Sequence, residues 1–376
     1  MAQTTRMNSA QTLPPPERTA HPFYMYDMIR GIPQGFQKTV QVMQEQLSRT
    51  PLPKKEPLFL TGNGTAYYSC LMGSQFLAET NLPWKAVQAF DLLHYSPKTT
   101  PAGVVVGVSH SGITKNTVDA LGHAKSRQTS TIAVTHFADR PISSVADRTF
   151  VVGDGPDKSR CHTKTYTDSA AAVLSLSLAH GKLHGYESPI EQHFSNELHD
   201  DLTETVRSSE SLAKSAAKSL ASNIRKVFVV GSGPNAVTAR EVALKVKESS
   251  FLPAEGMMLE EILHGPWVTF DRETLLLLVL PAGSPSERAL ELLKVASKLG
   301  TRTAVVTGEK RPQPEADYLF KVPETPEVLS PFTTVIPFYF LSYFLAVEKG
   351  GNPDYLRYQD PVYWDARNII FPSGTH

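Results

Sequence analysis

Short apolar runs alternate along this chain with stretches in which apolar residues recur at helical spacing. Three segments of the first half are matched in the same order, 169 to 172 residues later, by three of the second: 58–79 by 227–248, 104–112 by 276–284, and 131–137 by 303–309. Apolar strands that alternate with helices are typical of parallel sheets covered on both faces. The pattern predicts an α/β protein with two tandem, doubly wound parallel-sheet domains of flavodoxin-like type.

The polar and apolar composition also predicts how the chain is divided. We predict a disordered lead, a first domain with N-terminal helices, a linker, a second domain and a tail, at residues 1–24, 25–186, 187–204, 205–349 and 350–376. The lead is rich in Thr, Gln, Ser and Pro and lacks the apolar segment of a signal peptide. The tail is rich in Pro, Gly and aromatic residues, so we expect it to pack near the site.

Charge and cysteine content indicate which binding partners and which cellular compartment to expect. The 376 residues include 37 basic and 37 acidic side chains, so no net field favours nucleic acid or an anionic membrane. No run approaches the roughly 18 to 20 apolar residues of a membrane span, and the segment 274–283 is predicted to be a buried strand. The two cysteines, Cys70 and Cys161, lack disulfide or zinc spacing. These features predict a cytoplasmic globular protein.

The loop 109–117 follows an apolar strand directly and enters a helical pattern. Ser109, Ser111 and Thr114 bring three hydroxyls to the start of that helix, and Gly112 allows an oxyanion to approach the backbone. This pattern favours a phosphate site, although such residues also serve simply as helix caps. The corresponding loop of the second half, 281–287, has proline in place of the first serine and keeps fewer hydroxyls.

The other sequence signals exclude several cofactors. The turns at Gly62-x-Gly64 and Gly231-x-Gly233 lack the third glycine of a dinucleotide fingerprint, and no Walker motif occurs. The histidines show no HxxxH or HExxH spacing. We therefore expect no cofactor and no metal.

The sequence pattern does not decide whether the charged residues and the histidine in and next to segment 243–266 are catalytic or structural. Glu241, Lys245 and Glu248 lie opposite the apolar side of the predicted helix, where charged residues usually form a solvated face. His264 precedes Gly-Pro and equally suits a turn. From periodicity alone, these residues are either surface charges or proton-transfer groups.

Four motifs resemble a known family. The segments 61–67, 108–114, 157–167 and 243–266 are similar to the sugar isomerase (SIS) domains in the isomerase half of glutamine-fructose-6-phosphate aminotransferase, and to stand-alone amino-sugar-phosphate deaminases and deglycases. The likeness extends over residues 25–350 and includes both repeats. It implies a tandem SIS protein that binds a sugar phosphate.

The resemblance also implies residue roles. It places eight residues around the substrate: Gly64, Thr65, Ser109, His110, Ser111, Thr114, His162 and Lys164. It makes Glu248 the carboxylate that moves a proton between C1 and C2 of the open-chain sugar. It makes His264 the ring-opening group, contributed by the neighbouring subunit of a homodimer. A carboxylate and an imidazole suit these tasks at neutral pH.

This chain departs from the family at several positions. Ala66 replaces a serine, the family's Ser-Gln-Ser-Gly-Glu-Thr is Ser-His-Ser-Gly-Ile-Thr at 109–114, and its Ser-Thr-Lys is His-Thr-Lys at 162–164. No lysine follows Lys349, so the aminotransferase's Schiff-base lysine has no counterpart. The glutamine-hydrolysing half is also missing from this sequence. These departures favour isomerase or deaminase chemistry over synthesis.

Three functions follow from the sequence. The leading hypothesis is an enzyme that opens an amino-sugar 6-phosphate, of the glucosamine 6-phosphate or fructosamine 6-phosphate type, isomerises it through Glu248 and releases ammonia or an amine. The alternatives are a non-catalytic sugar-phosphate sensor and an aldose-ketose isomerase of a sugar phosphate without an amino group.

Overall fold

The computed structural model describes residues 17–95, 103–281, 286–308 and 314–372. Five parallel strands form the first of its two sheets. The strands are β1 (Leu58–Gly62), β2 (Trp84–Gln88), β3 (Val104–Val108), β4 (Ser130–Thr135) and β5 (Arg148–Val151). They lie in the order β2-β1-β3-β4-β5, and every pairing is parallel. From β1 the chain continues to β2 on one side of the sheet, and from β3 it continues to β4 and β5 on the other.

The second sheet repeats this topology. Its strands are β6 (Lys226–Gly231), β7 (Ala254–Met258), β8 (Thr274–Leu280), β9 (Arg302–Gly308) and β10 (Tyr318–Val322). Their order, β10-β9-β8-β6-β7, is the order of the first sheet read from the other edge. Two doubly wound α/β domains in tandem are thus confirmed.

Helices cover both sheets. They are α1 (Tyr24–Arg30), α2 (Ile32–Arg49), α3 (Thr65–Gly73), α4 (Ala89–Tyr95), α5 (Lys115–Ser126), α6 (Pro141–Val145), α7 (Lys164–Leu183), α8 (Glu191–Asn196), α9 (Leu198–Leu220), α10 (Asn235–Ser250), α11 (Leu259–Leu263), α12 (Ser286–Leu299), α13 (Ser330–Glu348) and α14 (Pro361–Ile370). Short 3-10 turns occupy Gln75–Glu79, Pro266–Thr269 and Glu327–Leu329.

One hydrophobic core joins the two domains. A continuous cluster of buried side chains includes Leu60 of β1, Tyr166 of α7, Val229 of β6 and Tyr339 of α13. Helix α10 packs on α13 of its own domain and on α3 of the first. This central position of α10 brings residues of the second domain to the edge of the first sheet.

Helix α13 is buried along almost its whole length. Together with the preceding 3-10 turn it forms a 22-residue segment, Glu327–Glu348, whose most apolar 18-residue window has a mean hydropathy of 1.5, so it is long and apolar enough to cross a membrane by length and composition. However, 94% of its most apolar window is buried inside the protein, as expected of a core helix. Ser, Thr and Pro interrupt its apolar residues, so the segment contains no continuous apolar run of membrane-spanning length in the sequence.

Two of the predicted divisions differ from the helices and contacts of the structure. The lead was predicted to be disordered to residue 24, yet Phe23 is buried and His21 Nδ1 lies 2.7 Å from the Tyr343 hydroxyl. The predicted linker 187–204 contains α8 and the start of α9, where Leu198 and Leu202 are buried. Residues 1–16 lie outside the described part of the chain, and the domain boundaries themselves stay predictions.

Candidate functional site

A cavity of about 1060 Å³ opens at the carboxyl edge of the first sheet. Its wall includes the loops after β1 and β3, the segment 157–169, the end of α10 and part of the tail. The crossovers that leave β1 and β3 go to opposite sides of the sheet, so the cavity lies at the topological switch point. Ligands of open α/β sheets bind at this place.

The loop after β3 presents hydroxyls to the cavity. Ser109 Oγ lies 3.0 Å from Thr114 Oγ1 and accepts a hydrogen bond of 3.1 Å from the Gly112 N–H. Gly112 has a φ of +68°, and a Cβ there would lie 2.6 Å from Cβ of Arg140. Thr114 is the N-cap of α5, but its side chain makes no capping hydrogen bond. Thr114 therefore does not act as a side-chain cap of α5, and the phosphate site at this loop stays a prediction.

The loop after β1 forms the facing wall. Gly64 has a φ of +54°, a backbone conformation that side chains rarely adopt, and it leads directly into α3. Thr65 Oγ1 accepts a hydrogen bond of 2.8 Å from Lys245 Nζ. Thr65 therefore links the first domain to α10 of the second.

Glu241, Lys245 and Glu248 form a buried charged row along α10. Lys245 Nζ lies 2.6 Å from Glu248 Oε2 and 3.4 Å from Glu241 Oε1, and the Tyr339 hydroxyl donates to Glu241 at 3.0 Å. The side chains of Glu241 and Lys245 are fully buried, whereas that of Glu248 is 23% exposed and lines the cavity. Of the two alternatives that periodicity leaves open, a solvated charged face does not hold for Glu241 and Lys245, because α10 is enclosed between the two domains.

Burial sets the electrostatics of this row. It raises the pKa of Glu241 to about 7, against the opposing charge of Lys245. Burial by itself lowers the pKa of Lys245, but the charges of Glu241 and Glu248 outweigh it and leave the pKa raised. Lys245 thus remains a cation that holds the Glu248 carboxylate at the cavity wall.

Three imidazoles run from the cavity into the core. The His110 ring centroid lies 4.3 Å from that of His162 and 4.8 Å from that of His136. His162 Nδ1 is 3.7 Å from Asp157, and His136 Nε2 is 3.4 Å from Asp168. His110 and His162 differ from the family residues in two separate motifs, and their rings meet at a tilt of 49°.

The two carboxylates differ in their surroundings. Burial raises the pKa of Asp168 to about 6, although His136 opposes it. Burial alone would raise the pKa of Asp157, but the neighbouring imidazoles of His162 and His110 and a hydrogen bond from the Thr165 hydroxyl lower it to about 2. Burial, reinforced by His162 and His136, lowers the pKa of His110 to about 2, so His110 is neutral.

The predicted site residues fall into two groups. Eight of them line the cavity: Gly64, Thr65, Ser109, His110, Ser111, Thr114, His162 and Glu248. Lys164 is buried behind the wall and pairs with Asp154, so its placement does not support the predicted substrate contact. His264 follows α11 with a side chain 76% exposed, 3.4 Å from Glu260, and it is not part of this cavity wall within one chain.

Sequence reasoning missed Lys245 as a site residue and assigned no role to the cavity residues of the tail, of which it named only Arg367. Asp354, Tyr355, Tyr358 and Arg367 line the cavity, so the tail packs near the site as predicted. Asp354 accepts hydrogen bonds of 2.8 Å from the backbone N–H groups of Tyr24 and Met25. The available signal for Lys245 was its spacing of three residues before Glu248, which fits an intrahelical ion pair.

The fold and the cavity define an α/β protein with tandem doubly wound domains and a hydroxyl-lined loop at the switch point of the first. The family model for the SIS domain matches residues 52–179 and 220–349, and the chain therefore belongs to the SIS domain family. Among the described residues, no group of three or more His, Cys, Asp or Glu side chains could hold a metal ion.

Similar proteins include enzymes of phosphosugar metabolism. Glutamine–fructose-6-phosphate aminotransferase [isomerizing] of Pyrococcus horikoshii is 28% identical over 305 residues, which are 81% of this chain and 51% of that protein. The chain therefore spans about half the length of this curated relative.

Solved structures share the fold. The C-terminal domain of glucosamine-fructose-6-phosphate aminotransferase from Francisella tularensis has a TM-score of 0.78 at 19% identity, covering 89% of this chain and 98% of that one. Glucosamine-6-phosphate deaminase from Thermotoga maritima has a TM-score of 0.73 at 20% identity, and the match covers 88% of this chain and 96% of that one.

Proposed function

We propose that this chain is a phosphosugar isomerase/deaminase that acts on an amino-sugar 6-phosphate, of the glucosamine 6-phosphate or fructosamine 6-phosphate type. One observation carries the proposal: a hydroxyl-lined loop and a carboxylate held by a buried lysine share one cavity at the switch point. Membership of the SIS family and the named activities of similar proteins support it.

The phosphate binds to the loop after β3. Ser109, Ser111 and Thr114 supply hydroxyl donors, and the start of α5 supplies backbone N–H groups and the positive end of its dipole. Thr65 binds from the facing wall, and His162, held by Asp157, adds a further donor. Such preorganised donors fix the position of the sugar relative to Glu248.

Glu248 moves a proton between adjacent carbons of the open-chain sugar. In a 2-amino aldose phosphate, its carboxylate removes the proton from C2 as the aldehyde becomes an enol, and it returns that proton to C1. The product is an imine at C2, which one water hydrolyses to the ketose and ammonia. For a 1-amino ketose phosphate, the proton moves from C1 to C2, and hydrolysis gives the aldose and the free amine.

Two further residues assist this step. Lys245 holds Glu248 at 2.6 Å and Thr65 at 2.8 Å, so it aligns the base with the substrate-binding wall. His264 opens the sugar ring and is contributed by the second subunit of a homodimer, because its own chain places it outside the cavity wall. The reaction requires no cofactor and fits a cytoplasmic enzyme.

Synthesis by a lysine imine is not part of the proposal. The tail supplies arginines near the cavity, and a guanidinium stays protonated and does not form an imine. The reaction therefore runs through Glu248 as isomerisation with loss of ammonia or amine.

The test compares Glu248→Gln with the wild type. Purified protein is incubated with glucosamine 6-phosphate, a fructosamine 6-phosphate and plain hexose 6-phosphates, while ammonia or amine and the sugar product are followed. We expect turnover of an amino-sugar phosphate and a fall in kcat of about 10³-fold in the variant. The matched control is Glu255→Gln, which changes an exposed carboxylate on β7.

Other outcomes separate the alternatives. Turnover of only plain hexose phosphates would identify an aldose-ketose isomerase. Tight binding without any conversion would identify a sensor. Undiminished activity in Glu248→Gln would refute the assigned role of this carboxylate.

A further inference from the structure

Asp157 holds the His162 imidazole in the cavity wall. The Asp157 side chain is fully buried, and its Oδ2 accepts hydrogen bonds of 3.0 Å from the Thr163 N–H and 2.8 Å from the Thr165 hydroxyl. His162 Nδ1 is buried 3.7 Å from the same oxygen, whereas the side chain as a whole is 34% exposed and lines the cavity. Contacts between a catalytic group and the residue that orients it are often long without substrate and shorten when substrate binds. The carboxylate therefore orients Nδ1 and leaves Nε2 for a ligand.

His110 packs against the same imidazole. The two ring centroids lie 4.3 Å apart at a tilt of 49°. Burial, reinforced by His162 and His136, lowers the pKa of His110 to about 2, so this neighbour is neutral. A neutral ring does not repel a protonated one, and the Asp157 carboxylate balances a positive charge on His162. The surroundings therefore allow His162 to carry a proton.

His162 stands between the loop after β3 and Glu248. On one side its ring contacts His110, which belongs to that loop. On the other side the preceding residue, Cys161, is close enough to Glu248 for the carboxylate's charge to raise the pKa of the thiol, after the larger effect of burial. A sugar 6-phosphate that extends from the loop to Glu248 therefore passes His162 with the middle of its carbon chain.

The middle of a cyclic sugar 6-phosphate contains the ring oxygen. C6 carries the phosphate, C5 carries the ring oxygen, and this oxygen is bonded to the anomeric carbon. Ring opening adds a proton to that oxygen and removes one from the anomeric hydroxyl. An imidazole can donate a proton at neutral pH, whereas the serine that the family has at the position of His162 cannot. The chemistry is thus specific to this chain's departure from the family motif.

We propose that His162 is the acid that protonates the ring oxygen of the bound sugar phosphate, with Asp157 as its positioning residue. The inference rests on the proposed function and adds a catalytic residue to it. As Nε2 gives its proton to the ring oxygen, the bond between this oxygen and the anomeric carbon breaks. The anomeric hydroxyl becomes the carbonyl and gives its proton to His264 of the second subunit. His264 then releases that proton to water, and His162 takes one up from water, so the step is balanced.

The first test measures the interconversion of α and β anomers, which requires ring opening but no proton transfer by Glu248. Every protein in this test carries Glu248→Gln, so that the sugar is not consumed. The full chain is mixed with glucosamine 6-phosphate or glucose 6-phosphate, and anomer exchange is followed by NMR magnetisation transfer. Calorimetry gives the Kd of the same ligands.

We expect the protein with intact His162 to accelerate exchange above the rate in buffer. Adding His162→Ser, which introduces the family's residue and keeps a hydroxyl donor, should lower the protein-catalysed exchange about 100-fold and leave the Kd within about threefold. His123→Ser, at an exposed imidazole on α5, is the matched control and should leave exchange unchanged.

A second measurement separates acid catalysis from positioning of the sugar. With Glu248 intact, fructosamine 6-phosphate is compared with its 5-deoxy analogue, which lacks the C5 hydroxyl and therefore stays open-chain. His162→Ser should lower kcat/KM for the cyclic substrate at least about tenfold more than for the acyclic one. Equal losses on the two substrates would show that His162 only positions the sugar.

Absence of exchange above the buffer rate, or undiminished exchange after His162→Ser, would overturn the acid role. The anomer test does not depend on deamination. Exchange that requires His162, in a protein that turns over no amino-sugar phosphate, would uphold the acid and refute the deaminase. Turnover of an amino-sugar phosphate together with exchange independent of His162 would do the reverse.

Discussion

Lys245 is the residue on which the proposed chemistry of α10 depends most directly. Its ammonium lies within ion-pair distance of both Glu241 and Glu248 and donates to Thr65 of the other domain. A buried ion pair is costly to disrupt, because the partner that remains is a charge without compensation. Lys245 therefore stabilises the domain interface and orients the proposed base at the same time.

These two contributions can be separated by substitution. Lys245→Met should lower the free energy of unfolding by about 3 to 5 kcal/mol, since Glu241 is left buried and unpaired. Adding Glu241→Gln should restore most of that stability while kcat stays at least about 100-fold below the wild type. Urea denaturation and turnover assays measure the two effects.

Lys247→Met, an exposed neighbour on the same helix, is the control and should change neither quantity. Recovery of activity together with stability in the double variant would show that Lys245 is only structural.

The sequence could not distinguish this buried row from a solvated one. Spacing along α10 correctly places Glu241, Lys245 and Glu248 on one side of the helix. Which side faces water depends on the packing of the second domain against α3 and α13, and this contact has no local signature in the residues of α10. The same limit applies to His110 and His162, which are 52 positions apart and meet only in the folded domain.

At the scale of elements, the turn between β3 and α5 determines where an oxyanion would bind in the proposed phosphate site. Gly112 combines a positive φ with close contact to Arg140, and the helix begins two residues later at its N-cap Thr114. At the end of α10, the C-cap residue Phe251 has a φ of 59°. The Arg357 guanidinium lies 5.5 Å from the centroid of its ring. Leu356 and Arg357 also have positive φ, so the tail turn lies in a sparsely populated conformation beside the proposed catalytic helix.

Two glycines of this region make a matched pair. Gly112→Ala should cost about 1 to 2 kcal/mol of stability because of its φ alone, and should raise KM for the phosphosugar because the loop must shift away from Arg140. Gly122→Ala lies in the middle of α5 with open space around it and should stabilise the protein by up to about 1 kcal/mol.

Thermal unfolding and KM measurements on both variants provide the test. An unchanged KM in Gly112→Ala would argue that the loop does not hold the phosphate.

The whole molecule is two copies of one fold, and the cavity of the candidate site lies at the carboxyl edge of the first copy's sheet. Alternation of apolar strands and helices predicted the repeat correctly, because the burial of both faces of a parallel sheet leaves a continuous signal in the sequence. The homodimer that we propose to complete the site has no such signal in the sequence. His264 is exposed on its own chain, so its proposed role requires a second copy.

Mixing two inactive variants tests that requirement. Glu248→Gln and His264→Asn should each be inactive alone, whereas co-expression should restore about a quarter of wild-type activity. Half of randomly paired dimers are then mixed, and one of the two sites in each mixed dimer carries both native residues. Activity of the co-expressed pair no higher than that of the separate variants would show that the histidine does not act across subunits.

The hydrogen bonds of Asp354 have a consequence for biosynthesis. Asp354 holds the start of α1 and stands in the cavity wall, but it is translated after both domains. The first domain can fold as a unit while the second is still being synthesised. During that interval its phosphate loop is open on the side that the tail later covers. If the loop after β3 is the phosphate site, as we propose, a nascent chain can bind a phosphate before it can enclose a sugar, because the segment around Asp354 emerges last from the ribosome.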